Sequence, residues 1–267
     1  MASVPSALEE HEVGNYVHDC AWHAEGERLK LLERWCDPET IRHLETLGVG
    51  QEWTCLEIGA GAGSIARWLS DRVGPEGHVI ATDLDTRFVE AFKGPNLEVR
   101  QHDVRCEDFP AQSFDLIHTR ALLFHLPDRV AVMQRLVAWL KPGGWLLVEE
   151  ADCYAGLAST DPLWAKFWLA YDAIPLVDAR CGRLLPRQVQ ALGLEEVDLD
   201  INVGIVRGGT ELATWHQLTC ESLRPTLVAT GEISDTELDE VCSALDRREF
   251  LEPGFVVVAV SGRRAEL

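Results

Sequence analysis

Residues 55 to 63 read Cys-Leu-Glu-Ile-Gly-Ala-Gly-Ala-Gly, and Asp83 stands twenty residues after the last of these glycines. The apolar residues 53 to 58 predict a short strand that runs into the glycine turn, and Ser64 to Val73 predict a helix that leaves it. A second strand, His78 to Thr82, ends just before Asp83. Glycines allow a close backbone approach, a helix N-terminus offers N–H groups, and a carboxylate after the next strand can accept two ribose hydroxyls. The stretch therefore predicts a nucleoside-binding cradle.

The spacing of the glycines separates several kinds of nucleotide site. Gly59, Gly61 and Gly63 form G-x-G-x-G, whereas the dinucleotide fingerprint G-x-G-x-x-G would require a glycine in place of Ser64. Together with Glu57, two residues before the first glycine, the pattern resembles motif I of the class I S-adenosylmethionine (SAM)-dependent methyltransferases. On this motif alone, another nucleotide-binding protein and a tight turn without a ligand are the alternatives.

The composition limits the possible partners. The chain of 267 residues carries a formal net charge of −20, which repels phosphate backbones and anionic membranes, so we expect neither nucleic acid nor a membrane as partner. No apolar run reaches the roughly 20 residues of a membrane span, and residues 1–14 are too polar for a signal peptide. The eight cysteines are scattered without metal-binding spacing, as expected of reduced thiols in the cytoplasm. We expect a cytoplasmic monomer or homodimer with a small-molecule substrate.

The alternation of predicted elements indicates an α/β fold. Strands and helices alternate through residue 149, which favours right-handed crossovers and a mostly parallel, doubly wound sheet of seven strands. The last two strands are expected to pair antiparallel at one edge. Asp37-Pro38 predicts a break between two short helices in residues 25–47, and a helix is predicted over residues 86–92. Lys141 to Gly144 predict a turn before the fifth strand.

Further motifs within residues 53–150 resemble the same methyltransferase family in the same order. Ala81-Thr82-Asp83-Leu84-Asp85 is similar to the end of its second strand, and His102-Asp103-Val104 is similar to the end of its third. Leu123-Phe124-His125-Leu126-Pro127-Asp128 is similar to a segment of the ubiquinone-biosynthesis-like branch. The resemblance implies a Rossmann-like methyltransferase fold, with an N-terminal helical segment or lid over residues 1–50. The main domain would cover residues 51–267, with a helical cap inserted at about residues 152–192, after strand 5.

The resemblance also implies SAM as the cofactor and gives individual residues roles toward it. Asp83 would bind the ribose hydroxyls, and Leu84 would pack on the adenine. Asp103 would accept the adenine amino group, and Val104 would donate its backbone N–H to the ring. The residues expected at the cofactor are Glu57, Gly59, Ala60, Gly61, Gly63, Asp83, Leu84, Asp103, Val104 and Arg120.

The segment after the fourth strand narrows the reaction class. It reads His118-Thr119-Arg120, without the Asn/Asp-Pro-Pro-Tyr motif of adenine and glutamine N-methyltransferases, the Pro-Cys of cytosine C5 enzymes, or carboxylates for a catalytic metal. The resemblance therefore implies a metal-independent methyltransferase acting on an O, N or C atom of a small molecule, of the kind common in secondary metabolism. The alternatives are a SAM-binding protein of the same fold that catalyses a non-methylating reaction such as a cyclisation, an NAD-dependent oxidoreductase, and a non-enzymatic binding protein.

Two residues are candidate catalysts. His125 follows the end of the fourth strand, where the methyl group should face the substrate, and an unperturbed imidazole suits general-base work. Glu150 lies at the carboxyl end of the fifth strand, where ligands gather in open α/β sheets. The alternatives are a histidine that bonds a loop backbone and a carboxylate on a solvated rim.

Aromatic residues are candidates for substrate binding. Trp164, Trp168 and Tyr171 recur at helical spacing in the expected cap, where they would line an aromatic pocket or pack against the sheet. Tyr16 and Trp22 belong to an N-terminal segment that would close over the cofactor, or would pack on the first helix.

Overall fold

A seven-stranded sheet forms the centre of the protein in the computed structural model, which describes residues 17–266. Its strands are β1 (Thr54–Ile58), β2 (His78–Asp83), β3 (Leu97–Gln101), β4 (Phe114–Arg120), β5 (Leu140–Asp152), β6 (Glu195–Arg207) and β7 (Leu251–Arg263). The spatial order is β3-β2-β1-β4-β5-β7-β6; β1 to β5 are parallel, and β7 is antiparallel to both of its neighbours. The predicted mostly parallel sheet with a final antiparallel pair is confirmed.

Helices flank the sheet and supply the buried apolar faces that pack on it. They are α1 (Glu25–Thr46), α2 (Ser64–Val73), α3 (Arg129–Trp139), α4 (Tyr154–Leu157), α5 (Pro162–Asp172), α6 (Cys181–Gln190), α7 (Glu211–Ala229) and α8 (Asp235–Leu245). Helices α4 to α6 lie between β5 and β6, where the cap is predicted. The division into two regions near residue 50 stays a prediction. Among the described residues, no helix is long and apolar enough to cross a membrane.

Helix α1 differs from its prediction. The predicted break at Asp37-Pro38 is wrong, because α1 continues through Pro38. A proline inside a helix removes one internal hydrogen bond. Leu31 before the proline and Leu44 after it are both buried, so the packing of both halves outweighs the missing bond.

Two shorter segments also differ. Residues 86–92 form two 3-10 turns, Thr86–Phe88 and Glu90–Phe92, rather than one helix. Residues 141–144 belong to β5 rather than to a separate turn. Gly143 accommodates this path with a φ of +77°, and its N–H donates to the carbonyl of Arg264 at 2.9 Å.

A cavity of about 620 Å³ lies at the carboxyl ends of β1, β2, β4 and β5. Helix α1 lines one part of it, and α5 and α7 line another. In open α/β sheets this end of the strands is where ligands bind. The fold therefore brings the glycine turn, the N-terminal region and the cap to one site.

Candidate active site

The glycine turn after β1 forms the floor of the cavity. Gly59, Gly61 and Gly63 all have positive φ, at 72°, 56° and 91°. A Cβ on Gly61 would meet no atom closer than 3.9 Å, so this glycine faces open space, whereas a Cβ on Gly63 would come within 2.8 Å of Phe92. Gly59, Ala60 and Gly61 line the cavity and Gly63 does not. Gly63 therefore serves the packing of the turn, and its contact with the cofactor stays a prediction.

The carboxylate of Asp83 lies at the end of β2 and is oriented by the backbone. One oxygen accepts the N–H of Gly61 at 3.0 Å, and the other accepts the N–H of Asp85 at 3.1 Å. Burial raises the pKa of this carboxyl above its usual value. Asp83 and Leu84 both line the cavity.

The loop after β3 supplies a second carboxylate. Asp103 lines the cavity and forms an ion pair with Arg105, with an N···O distance of 2.7 Å. The hydrogen bonds from Arg105 lower the pKa of Asp103 to about 2, so the side chain is ionised at neutral pH. Val104 is buried and lines the same part of the cavity.

Helix α1 is hydrogen-bonded to the start of α2 through acidic side chains that were not among the residues predicted from the sequence motifs. Glu33 accepts the backbone N–H of Ser64 at 3.2 Å, and Asp37 accepts its hydroxyl at 2.9 Å. Arg120 lines the cavity, but its guanidinium donates to Asp37 at 2.9 Å and to Thr40 at 2.8 Å. Arg120 therefore binds α1 to the end of β4.

A chain of buried charges runs beneath the site. His118 on β4 donates from Nδ1 to Glu57 at 2.6 Å and from Nε2 to Glu149 at 3.3 Å. Glu149 also accepts from Nδ1 of His43 at 2.7 Å, and His43 bonds Asp200 at 3.0 Å through Nε2. Burial alone would lower the pKa of His118, but the two carboxylates raise it to about 9. His118 is thus a buried cation that holds Glu57 of the glycine motif in place.

His125 lies in the short 3-10 turn Leu123–His125, and it is buried against the cavity. Its ring centroid is 3.9 Å from that of Phe124. Burial lowers the pKa of His125 to about 3, with a further contribution from the positive charge of Arg28. The imidazole is therefore neutral at physiological pH and a weak proton acceptor.

Glu150 is placed differently from its prediction. Its side chain is fully buried and does not line the cavity. The carboxylate accepts three backbone N–H groups, from Leu122 at 3.1 Å, Leu123 at 2.7 Å and Phe124 at 3.2 Å. Burial raises the pKa of Glu150 to about 7 despite these bonds. We correct its assignment from catalyst to a residue that holds the loop carrying His125.

Aromatic side chains surround the other part of the cavity. Trp168 and Tyr171 line it as predicted, but Trp164 does not. Trp164 is buried in the core and donates from Nε1 to the carbonyl of Pro253 at 2.7 Å, so its assignment as a substrate contact is corrected. Sequence reasoning missed four further aromatic residues that line this part: Phe124, Phe167, Trp215 and Phe255.

The N-terminal candidates are only partly at the site. Trp22 does not line the cavity, and its ring packs at 5.4 Å from that of His23, so its contact with a substrate stays a prediction. Tyr16 lies outside the described residues. Instead, His18 lines the cavity and its Nδ1 lies 2.9 Å from the hydroxyl of Ser222 on α7. Residues 18–21 thus form part of the cavity wall.

A surface cluster of Glu39, His43 and Asp200 could in principle hold a metal ion, because one ligand atom of each lies within 4.8 Å of the others. Both ring nitrogens of His43 already bond carboxylates. Arg42 forms an ion pair with Asp200 as well. The cluster is accounted for by these ion pairs.

Comparisons with known proteins agree with this geometry. A family model described as a methyltransferase domain matches residues 55–144. The methyltransferase str2 of Strobilurus tenacellus is 34% identical over 134 residues, which are 49% of this chain and 44% of that protein. The ubiquinone/menaquinone biosynthesis C-methyltransferase UbiE of Hahella chejuensis is 27% identical over 144 residues, covering 50% of this chain and 56% of that protein. These comparisons support a class I SAM-dependent methyltransferase domain over residues 55–144.

Solved structures of methyltransferase fold align with most of the chain. Phosphoethanolamine N-methyltransferase 2 of Haemonchus contortus, in complex with SAM, aligns over 94% of this chain and 54% of that chain, with a TM-score of 0.54 and 18% identity. The [4+2]-cyclase SpnF aligns over 86% of this chain and 81% of that chain, with a TM-score of 0.53 and 16% identity. At such identities the likeness shows the fold alone. The chain spans less than half the length of its two Strobilurus relatives, at 44% and 46%.

SAM is the cofactor of this methyltransferase family, and the residues of the cavity fit it. The open space above Gly61 admits a ligand against the backbone, and Asp83 presents a carboxylate that two N–H groups hold in position. Acidic side chains of Glu57, Asp83 and Asp103 line the same part of the cavity. They provide acceptors for an amino group, a ribose and an adenine.

Proposed function

We propose that the protein transfers the methyl group of SAM to a nucleophilic atom of a small molecule. The observation that carries the proposal is one cavity lined both by the glycine turn with Asp83 and by aromatic side chains of α5 and α7. SAM supplies a methyl group on a sulfonium, which a nucleophile displaces in line. The chain itself aligns the two ligands and excludes water, which are the main sources of rate for such a donor.

In this proposal the buried charges orient the cofactor. Asp83 accepts the ribose hydroxyls with the lone pairs that its two backbone N–H bonds leave available. Glu57 accepts the amino group of the methionine part, because His118 holds one of its oxygens and the residue lines the cavity. Asp103 faces the adenine, and its ion pair with Arg105 keeps the carboxylate of Asp103 ionised.

In this proposal His125 helps to position the substrate and does not serve as a general base with a pKa near neutrality. Its pKa of about 3 makes it a weak proton acceptor, although a neutral imidazole can still bond a substrate group. The acceptor atom is then one that is already nucleophilic, such as a neutral amine nitrogen or the carbon of a substrate that arrives as its enolate. A hydroxyl acceptor would need a stronger base than His125.

The aromatic part of the cavity favours a flat, largely apolar substrate. Phe124, Phe167, Trp168, Tyr171, Trp215 and Phe255 line it. Trp215 and Phe255 pack with ring centroids 5.0 Å apart, and Trp168 and Tyr171 with centroids 5.7 Å apart. Rigid aromatic walls of this kind bind planar rings and hydrocarbon skeletons. The relatives named str2 and str3 support a place among methyltransferases of secondary metabolism.

Methyl-labelled SAM tests the proposal directly. The protein is incubated with labelled SAM and a small-molecule extract of its source organism, and the extract is compared by mass spectrometry with one treated with Asp83→Ala. We expect a labelled product and an equal amount of S-adenosylhomocysteine with the parent protein, and much less of both with Asp83→Ala at the same SAM concentration. A [4+2]-cyclase shares the fold, so a new product that carries no label and forms without S-adenosylhomocysteine would replace methyl transfer with the alternative, a non-methylating reaction.

A further inference from the structure

An apolar stripe lies exposed on β6. Val197, Leu199, Ile201, Val203 and Ile205 occupy alternate positions of the strand, and they are between 38% and 56% exposed. Where they pair with β7, Ile201 stands beside Val258 and Leu199 beside Val260, both of which are buried. Long apolar edge strands associate unless something covers them. The stripe therefore indicates a partner surface.

The open edge of β6 also presents backbone groups. Among residues 17–266, β6 is the last strand of the sheet, with β7 on one side only. The N–H groups of Leu199 and Ile201 donate to the side chains of Asp198 at 2.9 Å and Asp200 at 2.8 Å, so they point away from β7. Because an antiparallel strand directs the backbone groups of alternate residues to each neighbour, the N–H and C=O groups of the odd-numbered residues of this stretch face the open edge, while their side chains share one face of the sheet.

The apolar residues of β6 are arranged so that two antiparallel copies of the strand can set apolar residues opposite one another. β6 runs from Glu195 to Arg207, and its midpoint is Ile201. If two copies pair antiparallel about this midpoint, Ile201 faces itself and Leu199 faces Val203. These are the residues whose N–H and C=O groups point outward, so the register also allows the backbone hydrogen bonds. Apolar cross-strand pairs of this kind stabilise a sheet.

The polar residues agree with the same register. Asp198 then faces Gly204 of the second copy, and Asp200 faces Asn202, so no two carboxylates stand opposite one another. A register shifted by two residues towards the N-terminus would set Asp200 opposite itself, which like-charge repulsion disfavours. Pairing of two copies about Ile201 therefore brings apolar residues together without setting like charges opposite one another.

We propose that two copies of the protein form a homodimer by antiparallel pairing of their β6 strands, centred on Ile201. In the dimer the carbonyls of the second copy replace Asp198 and Asp200 as acceptors of the two outward N–H groups. The two seven-stranded sheets join into one continuous sheet. Each copy carries a net charge of −20, so the dimer strengthens as salt screens the repulsion. This inference does not depend on the proposed methyl transfer.

Sedimentation over a concentration and salt series tests the dimer with a matched pair of variants. Ile201→Lys places a charge at the centre of the proposed interface and should give a monomer. Leu169→Lys changes a residue of similar exposure on α5, 43% against 48%, and should remain a dimer. A parent protein that stays monomeric throughout the series, or equal dissociation of the two variants, would overturn the proposal.

Cysteine cross-linking tests the register without relying on a disruptive change. Facing residues of a hydrogen-bonded pair lie about 5.5 Å apart between Cα atoms, within reach of a disulfide. Ile201→Cys should therefore cross-link two copies on mild oxidation, above the background of the parent's own cysteines. Val197→Cys should not, because the two copies of residue 197 would be roughly 26 Å apart. Cross-linking of Val197→Cys alone refutes the register. A parent that becomes dimeric only after removal of residues 1–16 would show that this segment, and not a second copy, covers the stripe.

Discussion

Replacement of His118 by phenylalanine tests the buried chain of charges beneath the glycine turn. His118 is fully buried between Glu57 and Glu149, which are themselves buried. A pKa held at about 9 instead of 6.5 corresponds to roughly 3 kcal/mol of favourable interaction with the protonated ring. Removing one partner of a buried ion pair leaves uncompensated charge and costs about 3–5 kcal/mol. We therefore expect His118→Phe to lose roughly 3 kcal/mol of unfolding free energy at pH 7.

The same interaction fixes the dependence on pH. Because the pKa is raised in the folded state, the stabilisation is complete below the unfolded value of 6.5 and is lost as the pH rises through about 9. The difference in unfolding free energy between parent and His118→Phe should therefore narrow as the pH rises from about 6.5 to about 9, and level off above that. Denaturant unfolding followed by tryptophan fluorescence, at pH 7 and at a series of higher values, measures both effects.

His78 provides the matched control. It lies 3.7 Å from Glu98, but both side chains are well exposed, at 43% and 38%. An exposed pair of this kind contributes about 0–1 kcal/mol. If His118→Phe costs no more than His78→Phe at pH 7, the buried ring is not a charged partner of Glu57 and Glu149. If the difference in unfolding free energy between parent and His118→Phe is the same at pH 7 and pH 10, the pKa of His118 is not raised in the folded protein.

Three further results follow from the site. Gly61→Val should show no SAM binding in calorimetry, while its far-ultraviolet circular dichroism spectrum stays unchanged. The control Gly231→Ala, at a glycine that also has a positive φ and faces open space, should bind SAM as the parent does. If Gly61→Val keeps its affinity for SAM, the cofactor does not bind against Gly61. Trp164→Phe should lower the thermal midpoint and leave the KM for substrate unchanged, because its Nε1 bonds Pro253 in the core; a raised KM would return it to the pocket. The pH profile of kcat should show no limb from His125 between pH 5 and 8, since burial lowers its pKa to about 3; a limb in that range that His125→Asn removes would restore it as the base.

Much of the fold follows from local sequence. The glycine turn, the helix Ser64–Val73 and the short apolar strands can be predicted from the sequence, because the conformation of each is determined mainly by residues close to it in the chain. The continuity of α1 through Pro38 could not be predicted in this way. It depends on the burial of residues on both sides of the proline, and burial is decided by the rest of the chain.

The residues of the candidate site also fall into two groups, those that local sequence predicts and those that only the fold brings together. Asp83, Leu84, Asp103 and Val104 could be placed because they lie at or shortly after the ends of parallel strands, and such ends meet at one edge of the sheet. Glu57 and His118 are 61 residues apart, and only the pairing of β1 with β4 brings them together. The contributions of Trp215 and Phe255 could not be foreseen either, since their spacing is also that of ordinary core residues.

Glu150 shows why position at a strand end is not sufficient. Successive residues of a strand point to opposite faces. Glu149 lines the cavity, and Glu150 next to it turns away to bond three backbone N–H groups. Which of two adjacent carboxylates faces a ligand depends on the register of β5 in the sheet, which the sequence pattern left open.

Calorimetric titration of SAM into the parent protein and into Asp83→Ala tests the central claim most directly. Loss of a hydrogen bond to a charged acceptor costs about 1.5–3 kcal/mol, so the variant should bind SAM roughly 10- to 100-fold more weakly, while NAD should bind to neither protein. Thermal unfolding without ligand shows whether the variant is folded. Equal SAM affinity in a folded Asp83→Ala, or binding of NAD in preference to SAM by the parent, would contradict the account.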